Sequence, residues 1–232
     1  MLGNKIIAFD SLRVVAILSV IVLHASAVLF LNLYPSYDWN VANVYDSFMR
    51  WNVPVFFMIS GALFLRRSKE LNIKRLYSRN ILRIVAIFVF WSIIYAIIYA
   101  NIYGEGINDY TCFLYEIIKG PYHFWFLKAL LGLYIAIPIC RYIVSKEKFE
   151  ISFLIITFFL GILIPSTISI VGVFDKQLES LFIGVYDKFN VQLISTYSFY
   201  FVIGHYLLEY SIKKGYRHVI YYLGLIAPIL VM

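Results

Sequence analysis

The chain has 232 residues, of which 62% are hydrophobic and 14% are charged, and its formal net charge is +7. A soluble domain has about 25% charged residues, so this composition excludes a soluble enzyme and predicts an all-α, polytopic transmembrane helical bundle. The basic residues occupy a few short interruptions between apolar runs, so membrane topology explains the charge and we expect no nucleic-acid partner.

The first predicted element is a helix in residues 9–34, FDSLRVVAILSVIVLHASAVLFLNLY. Asp10, Arg13 and His24 share one face of this helix, because their spacings are close to whole turns at 3.6 residues per turn. At 1.5 Å per residue, His24 lies roughly 16 Å beyond Arg13, deep in a bilayer. An ionisable side chain at that depth marks a reaction centre, relay or pathway, or else a neutral histidine that hydrogen-bonds to a neighbouring helix.

A polar, aromatic segment follows at residues 34–52, and residues 53–65 form the predicted second span. Ser60 and Gly61 in this span are small, which lets neighbouring helices pack closely. The next interruption, residues 66–83, holds seven positive residues and one acidic residue. The positive-inside rule places this loop in the cytoplasm, and the amino terminus with it, because two spans precede the loop.

Three arginines in the cytoplasmic loop, Arg75, Arg79 and Arg83, recur at four-residue spacing and are predicted to stack along one helix face. Guanidinium groups match the geometry of phosphate oxygens, so this row suits a phosphate-bearing ligand. The alternative is that the loop only sets the topology and contacts anionic lipids, which explains most basic loops.

Four further spans complete the predicted topology, and the loops between them alternate between the two sides of the membrane. They are residues 84–103, 124–144, 151–174 with a kink at Pro165, and 191–210, separated outside by 104–123 and 175–190. Fifteen lysines and arginines then lie inside and four outside, which favours six spans with a cytoplasmic amino terminus.

A seventh apolar run begins at Val219 and has 14 residues, fewer than the roughly 20 that a span needs. We therefore expect a partial seventh span, and a chain that is either a truncated product or a fragment of a longer protein.

Further polar side chains lie at the ends of the later spans. His123 and Trp125 are at the predicted outer interface, where aromatic residues are ordinary anchors. Lys128 lies one turn deeper and can either extend outward or serve a buried role. His205 and Glu209, at i,i+4 on the sixth span, form either an ion-handling pair or an interfacial one.

Four motifs in order resemble the membrane-bound acyltransferase-3 family: DSLRVVAILSVIVLH, NVPVFFMISGALF, the arginine-rich loop and HFWFLKALLGLYIAIP. The resemblance covers essentially the whole chain, and HFWFL is similar to the subgroup that includes the enterobacterial common antigen acetyltransferase. It implies an O-acyltransferase, usually an O-acetyltransferase, of bacterial cell-surface glycans. It also implies a single acyltransferase domain over residues 1–232 that lacks its C-terminal portion.

The resemblance also implies roles for individual residues. Arg13 and His24 match the family's arginine–histidine signature and are the expected catalytic residues, with imidazole as the general base. Arg79 with Arg83 most nearly matches the family's Arg-x3-Arg motif for the donor. Arg75 with Arg79 has the same spacing and is the alternative match to that motif.

The remaining site residues are expected to bind substrate, and they are Asp10, His123, Trp125 and Lys128. We expect no metal and no bound cofactor, because acetyl-CoA or another acyl-CoA is the co-substrate. The expected partners are this donor, a surface glycan or lipid-linked sugar acceptor, and lipids of the bacterial cytoplasmic (inner) membrane. Two alternatives remain at this point: a proton-coupled transporter, and an inactive truncated acyltransferase homologue.

Overall fold

The structure is a computed structural model that describes residues 2–30, 36–68, 70–103, 110–189 and 192–231. Every regular element in these ranges is helical, so the all-α prediction is confirmed there. The α-helices are α1 (Leu2–Phe30), α2 (Tyr37–Met49), α3 (Asn52–Phe64), α4 (Ile73–Arg75), α5 (Leu82–Tyr103), α6 (Tyr110–Lys119), α7 (Trp125–Ile135), α8 (Ile137–Val144), α9 (Glu147–Phe158), α10 (Ile164–Phe174), α11 (Lys176–Lys188), α12 (Gln192–Glu209) and α13 (Lys214–Val231). A first π-helical segment, Leu76–Ile81, joins α4 to α5, a second, Phe159–Leu163, joins α9 to α10, and Tyr122–Phe124 is a 3-10 turn.

Three described stretches are long and apolar enough to cross a membrane: Ile7–Leu29, Ile73–Ile102 and Glu147–Phe174. Helices α7 and α8 make a fourth if they count as one span, although they meet at a bend of 60°. The predicted second span corresponds to α3, whose 13 residues extend only about 20 Å. The chain is therefore a membrane-type helical protein with three or four candidate spans in its described residues.

Two segments that the hydropathy pattern places outside the spans contain helices. Helix α2 lies in the polar, aromatic segment, and its first turn is capped by Ser36, whose hydroxyl accepts a hydrogen bond from the Trp39 amide. The predicted outer segment 175–190 is also helical over most of its length, as α11. The Asp175 carboxylate caps α11 by accepting hydrogen bonds from the amides of Gln177 and Leu178.

Two other segments predicted between the spans also contain helices. Residues 104–109 of the outer segment lie outside the described residues, and the rest of that segment contains α6. The predicted cytoplasmic turn at 213–218 is instead the first part of α13.

The described helices form two compact units, one from residues 1–66 and 146–232 and the other from residues 67–145. In the first unit, α12 packs against α3 and α9, and α1 packs against α2 and α3. In the second unit, α5 packs against α6 and α7.

The crossing of α3 and α12 depends on two glycines. A β-carbon placed on Gly61 would lie 1.7 Å from the backbone oxygen of Phe201, and one on Gly204 would lie 2.0 Å from that of Met58. Each helix therefore presents a glycine to the other helix's backbone, as close packing of membrane helices requires. The predicted packing role of Gly61 is confirmed.

Pro165 creates a different irregularity from the predicted kink. It lies in the first turn of α10, and it follows the second π-helical segment within one candidate span. Because proline has no amide hydrogen, the turn before Pro165 lacks one backbone donor. The Thr196 hydroxyl donates to the Gly161 oxygen at 3.0 Å, and the Tyr186 hydroxyl donates to the Leu160 oxygen at 2.5 Å.

Candidate functional site

Helix α1 carries Asp10, Arg13 and His24 on one unbroken helix of 29 residues. The Arg13 guanidinium donates a hydrogen bond to the Asp10 carboxylate at 2.8 Å, as the i,i+3 spacing predicts. The regular helix keeps His24 on the same face, about 16 Å further along the axis. The structure therefore brings Asp10 and Arg13 into contact, and it places His24 three turns away from them.

The polar face of α1 lies beside the stripe through which the helix packs. Ala16, Ser19 and Ser26 are buried, whereas Asp10 and His24 are exposed and Arg13 is half-buried. The two serines satisfy their hydroxyls on their own helix, since Ser19 donates to the Val15 oxygen and Ser26 to the Leu23 oxygen. Within the first unit, packing uses the serine stripe and leaves the face of Arg13 and His24 accessible to a ligand.

The arginine segment has a different local geometry from the one that its spacing predicts. Arg75 ends α4, Arg79 lies in the first π-helical segment, and Arg83 begins α5. A π-helix has i→i+5 hydrogen bonds and wider turns than an α-helix. A four-residue step is more than one turn of an α-helix but less than one turn of a π-helix, so the side chains do not line up as they would in an α-helix. The prediction of a single α-helical row is therefore wrong, although all three side chains are exposed.

Tyr77 attaches this π-helical segment to the bend between α7 and α8. Its hydroxyl donates a hydrogen bond to the Ile135 oxygen at 3.1 Å. Ile135 is the last residue of α7, and Pro138 lies in the first turn of α8, where the helical ladder is interrupted. The contact therefore joins the segment that carries the arginines to the break in the candidate span.

The outer motif, by which we mean His123, Trp125 and Lys128, has its side chains in three different environments in the second unit. The Lys128 ammonium donates a hydrogen bond to the Lys119 oxygen at 2.7 Å, so it interacts with the carboxyl end of α6, where a cation is favoured. The His123 ring meets the Tyr95 ring edge-on, with centroids 5.2 Å apart. Trp125 is exposed, as an interfacial anchor would be.

His205 has a different partner from the one that sequence spacing suggests. Its Nδ1 lies 2.7 Å from Oε1 of Glu150 on α9, and both side chains are fully buried. Its Nε2 is buried and has no hydrogen-bond partner among the described residues. Glu209 is exposed, so of the two alternatives for His205 and Glu209 the ion-handling pair is wrong.

Sequence reasoning missed Glu150 because its partner is 55 residues away in the chain. The available signal was an acidic residue at the start of an apolar run, and such residues usually face the interior of a helical bundle. Within the described ranges, no group of three or more histidine, cysteine, aspartate or glutamate side chains could hold a metal ion.

Comparison with known proteins gives one match. A family model described as "Acyltransferase domain" matches residues 6–231, which is nearly the whole chain. No curated protein and no solved structure matches. The matched range includes the α1 face, the arginine segment and the outer motif.

Proposed function

We propose that this chain, which belongs to the acyltransferase-3 family, transfers an acetyl group from cytoplasmic acetyl-CoA to a glycan hydroxyl. The acceptor is a bacterial cell-surface polysaccharide or a lipid-linked glycan, and the enzyme lies in the bacterial cytoplasmic (inner) membrane. The observation that carries this proposal is the α1 face, where a long apolar helix holds Arg13 and His24 in register beside its packed stripe.

The proposed topology has six spans and a partial seventh, with a cytoplasmic amino terminus. Its support is the charge asymmetry, since the residues around Arg75 and Lys146 are strongly basic and those around Glu116 and Asp187 are not. In this arrangement the Arg13 end of α1 faces the cytoplasm and the His24 end approaches the outer side.

The donor would bind at the first π-helical segment. Coenzyme A carries phosphates, and guanidinium groups bind phosphate oxygens through paired hydrogen bonds. Arg75, Arg79 and Arg83 are all exposed, so their side chains are accessible to such a ligand. A π-helical turn is frequent at functional sites, and the widened turn presents arginines that are close in sequence in different directions.

His24 would act as the general base on the acceptor. Its imidazole takes the proton from the glycan hydroxyl while the hydroxyl oxygen bonds to the thioester carbonyl carbon. The carbon–sulfur bond then breaks, and the coenzyme A thiolate leaves and recovers the proton from the imidazolium. The products are an O-acetyl ester and coenzyme A.

Arg13 would act on the donor rather than on the reacting carbonyl. The roughly 16 Å between Arg13 and His24 along the helix is too long for both side chains to touch one carbonyl group. The Asp10 carboxylate accepts a hydrogen bond from one of the five N–H donors of the guanidinium, and this contact fixes the direction of the group. Arg13 would therefore hold the flexible arm of acyl-CoA, and Asp10 would position Arg13.

The outer motif would serve the acceptor. His123 and Trp125 carry rings that a sugar can contact, whereas Lys128 holds the end of α6. We therefore propose His123 and Trp125 as acceptor contacts and Lys128 as the residue that fixes the end of α6.

The test replaces His24 with alanine in the full protein. His24→Ala should abolish O-acetylation of the acceptor glycan, measured by mass spectrometry, without loss of membrane insertion, because removing a polar group does not oppose insertion. His218→Ala, at an exposed histidine on α13, is the matched control and should retain activity. Arg13→Lys should lower activity although it keeps the charge, because the planar guanidinium is lost.

Substantial acetylation by the His24→Ala protein would refute the catalytic assignment. If the unaltered protein transfers no acetyl group and instead moves protons or solute across vesicle membranes, the transporter alternative replaces the proposal. If it does neither, the chain is an inactive homologue.

A further inference from the structure

A pocket of about 270 Å³ lies in the second unit, between α5 and the end of α6. Three tyrosine rings and one oppositely charged pair line it: Tyr95, Tyr99, Tyr122, Glu116 and Lys119. Its volume is slightly below the roughly 300–1,000 Å³ of sites for drug-sized ligands. This space accommodates a single ring with its substituents.

One wall of the pocket is fixed by the turn after α6. Gly120 lines the pocket and has a φ of 65°, which favours glycine. A β-carbon there would also lie 2.8 Å from the Phe88 ring. The Lys128 ammonium holds the Lys119 carbonyl immediately before this turn. Gly120 and Lys128 together therefore hold this wall of the pocket in one conformation.

Polar groups are present along this wall. Glu116 and Lys119 form an ion pair at 3.0 Å, and both contribute to the lining. The Ser92 hydroxyl is buried and has no hydrogen-bond partner among the described residues, and a β-carbon on Gly120 would lie 3.1 Å from it. The Ser92 hydroxyl lies behind Gly120 and is not part of the pocket lining, so the polar groups that a ligand can reach are those of Glu116 and Lys119.

A second pocket, between α10 and α11 in the first unit, has a different character. Its volume is about 560 Å³ and its lining is almost entirely apolar. The Thr167 and Tyr186 hydroxyls in that lining already donate to the backbone oxygens of Leu163 and Leu160. That pocket suits hydrocarbon, whereas the tyrosine pocket combines aromatic faces with charged donors and acceptors.

We propose that the tyrosine pocket binds one neutral sugar ring of the acceptor. A pyranose has an apolar C–H face that can pack on a tyrosine ring, and hydroxyls that can donate to Glu116 and accept from Lys119. A neutral ring is favoured over an anionic one, because Glu116 balances Lys119 and the Lys128 ammonium is bound to a carbonyl. This inference rests on the proposed function, because it assigns the acceptor of that reaction.

The pocket lies next to the outer motif, and His123 of that motif makes the contact. Its ring contacts Tyr95, which lines the pocket, with centroids 5.2 Å apart. The proposed topology places this part of the second unit on the outer side, where a glycan hydroxyl would arrive. The site residues therefore extend beyond the predicted motif to Tyr99, Glu116 and Lys119.

The experiment compares Tyr99→Ala and Glu116→Gln with a matched control in the full protein. Tyr110→Ala is the control, because Tyr110 is an exposed tyrosine on α6 outside the pocket. Each pocket variant should raise the acceptor KM about ten-fold, as loss of a charge-assisted hydrogen bond or an aromatic contact does, with little change in kcat. The control should leave both constants unchanged.

A second measurement does not depend on acyl transfer. Saturation-transfer NMR on the purified protein would use the methyl glycosides of glucose, galactose, mannose and N-acetylglucosamine, with sorbitol as an open-chain control. At least one glycoside should receive saturation on its ring C–H protons, and both pocket variants should lose it. Glu116→Gln preserves the shape of the side chain, so it tests the proposal even if Tyr99→Ala does not fold.

The outcomes separate the two proposals. If the protein acetylates its acceptor but the pocket variants keep the same KM and no glycoside receives saturation, the pocket proposal is overturned and the proposed function stands. If a glycoside binds and the variants abolish binding, but no acetyl group is transferred, the pocket proposal stands and the proposed function fails.

Discussion

Replacing Gly61 with alanine tests the glycine crossing between α3 and α12. The added β-carbon would lie 1.7 Å from the Phe201 oxygen, whereas ordinary contacts begin near 3.4 Å. The two helix backbones would therefore have to separate by about 1.7 Å, the difference between these distances. A backbone cannot rotate away as a side chain can, so the helices must move apart.

The expected loss of stability follows from this separation. Overpacking a helical interface costs about 1–3 kcal/mol, and a backbone clash lies at the upper end, so we expect a loss of about 3 kcal/mol for Gly61→Ala. Gly204→Ala should cost a similar amount, because its β-carbon would lie 2.0 Å from the Met58 oxygen. The double variant should lose less than the sum, because one separation relieves both clashes.

The assay is the thermal melting of detergent-purified protein, followed by size-exclusion chromatography after heating. Gly132→Ala is the control, because nothing lies within 4 Å of a β-carbon at that position. The control should be neutral or slightly stabilising, since alanine is the better helix former. Equal melting temperatures for Gly61→Ala and Gly132→Ala would refute the assignment of Gly61 to the helix contact.

Two further predictions concern charged side chains. Glu150→Ala should lower the free energy of unfolding by about 3 kcal/mol because it leaves His205 buried without its partner, and Glu150→Gln should lower it less. The control Glu209→Ala, at an exposed position, should change this free energy by no more than about 0.5 kcal/mol. Equal melting temperatures for all three variants would contradict the buried pair. The hydrogen bond and charge of Glu116 raise the pKa of Lys119 above its ordinary value of 10.5. The ion pair therefore contributes its whole stabilisation of α6 at pH values below 10.5, and this contribution is lost as the pH rises through the raised pKa of Lys119. NMR titration of methylated lysines should show the pKa returning toward 10.5 in Glu116→Gln, and an unchanged pKa would contradict the assignment.

The sequence predicted those features that depend on periodicity within a single helix. The shared face of Arg13 and His24 follows from the regular spacing of an α-helix, and the Arg13–Asp10 contact is local. The packing role of Gly61 also followed from its small size in an apolar run. Each of these features needs no knowledge of a distant part of the chain.

Features that depend on distant partners could not be predicted in the same way. Glu150 and His205 are 55 residues apart, and the pattern instead paired His205 with a neighbour one turn away. The row of Arg75, Arg79 and Arg83 assumed α-helical turns, and no composition signal distinguishes a π-helical turn from an α-helical one. Helix α11 did have a local signal, the Asp175 cap, but α11 is too polar to form a long apolar run.

The hydroxyls that complete the backbone around Pro165 also set an order for biosynthesis. The Leu160 and Gly161 carbonyls receive donors from Tyr186 and Thr196, which the ribosome adds 26 and 35 residues later. Until α11 and α12 emerge, these two carbonyls lack their side-chain donors, and a carbonyl with too few hydrogen bonds is costly in hydrocarbon. The nascent span from α9 to α10 therefore gains these two hydrogen bonds only when the following two helices have been synthesised and have folded against it.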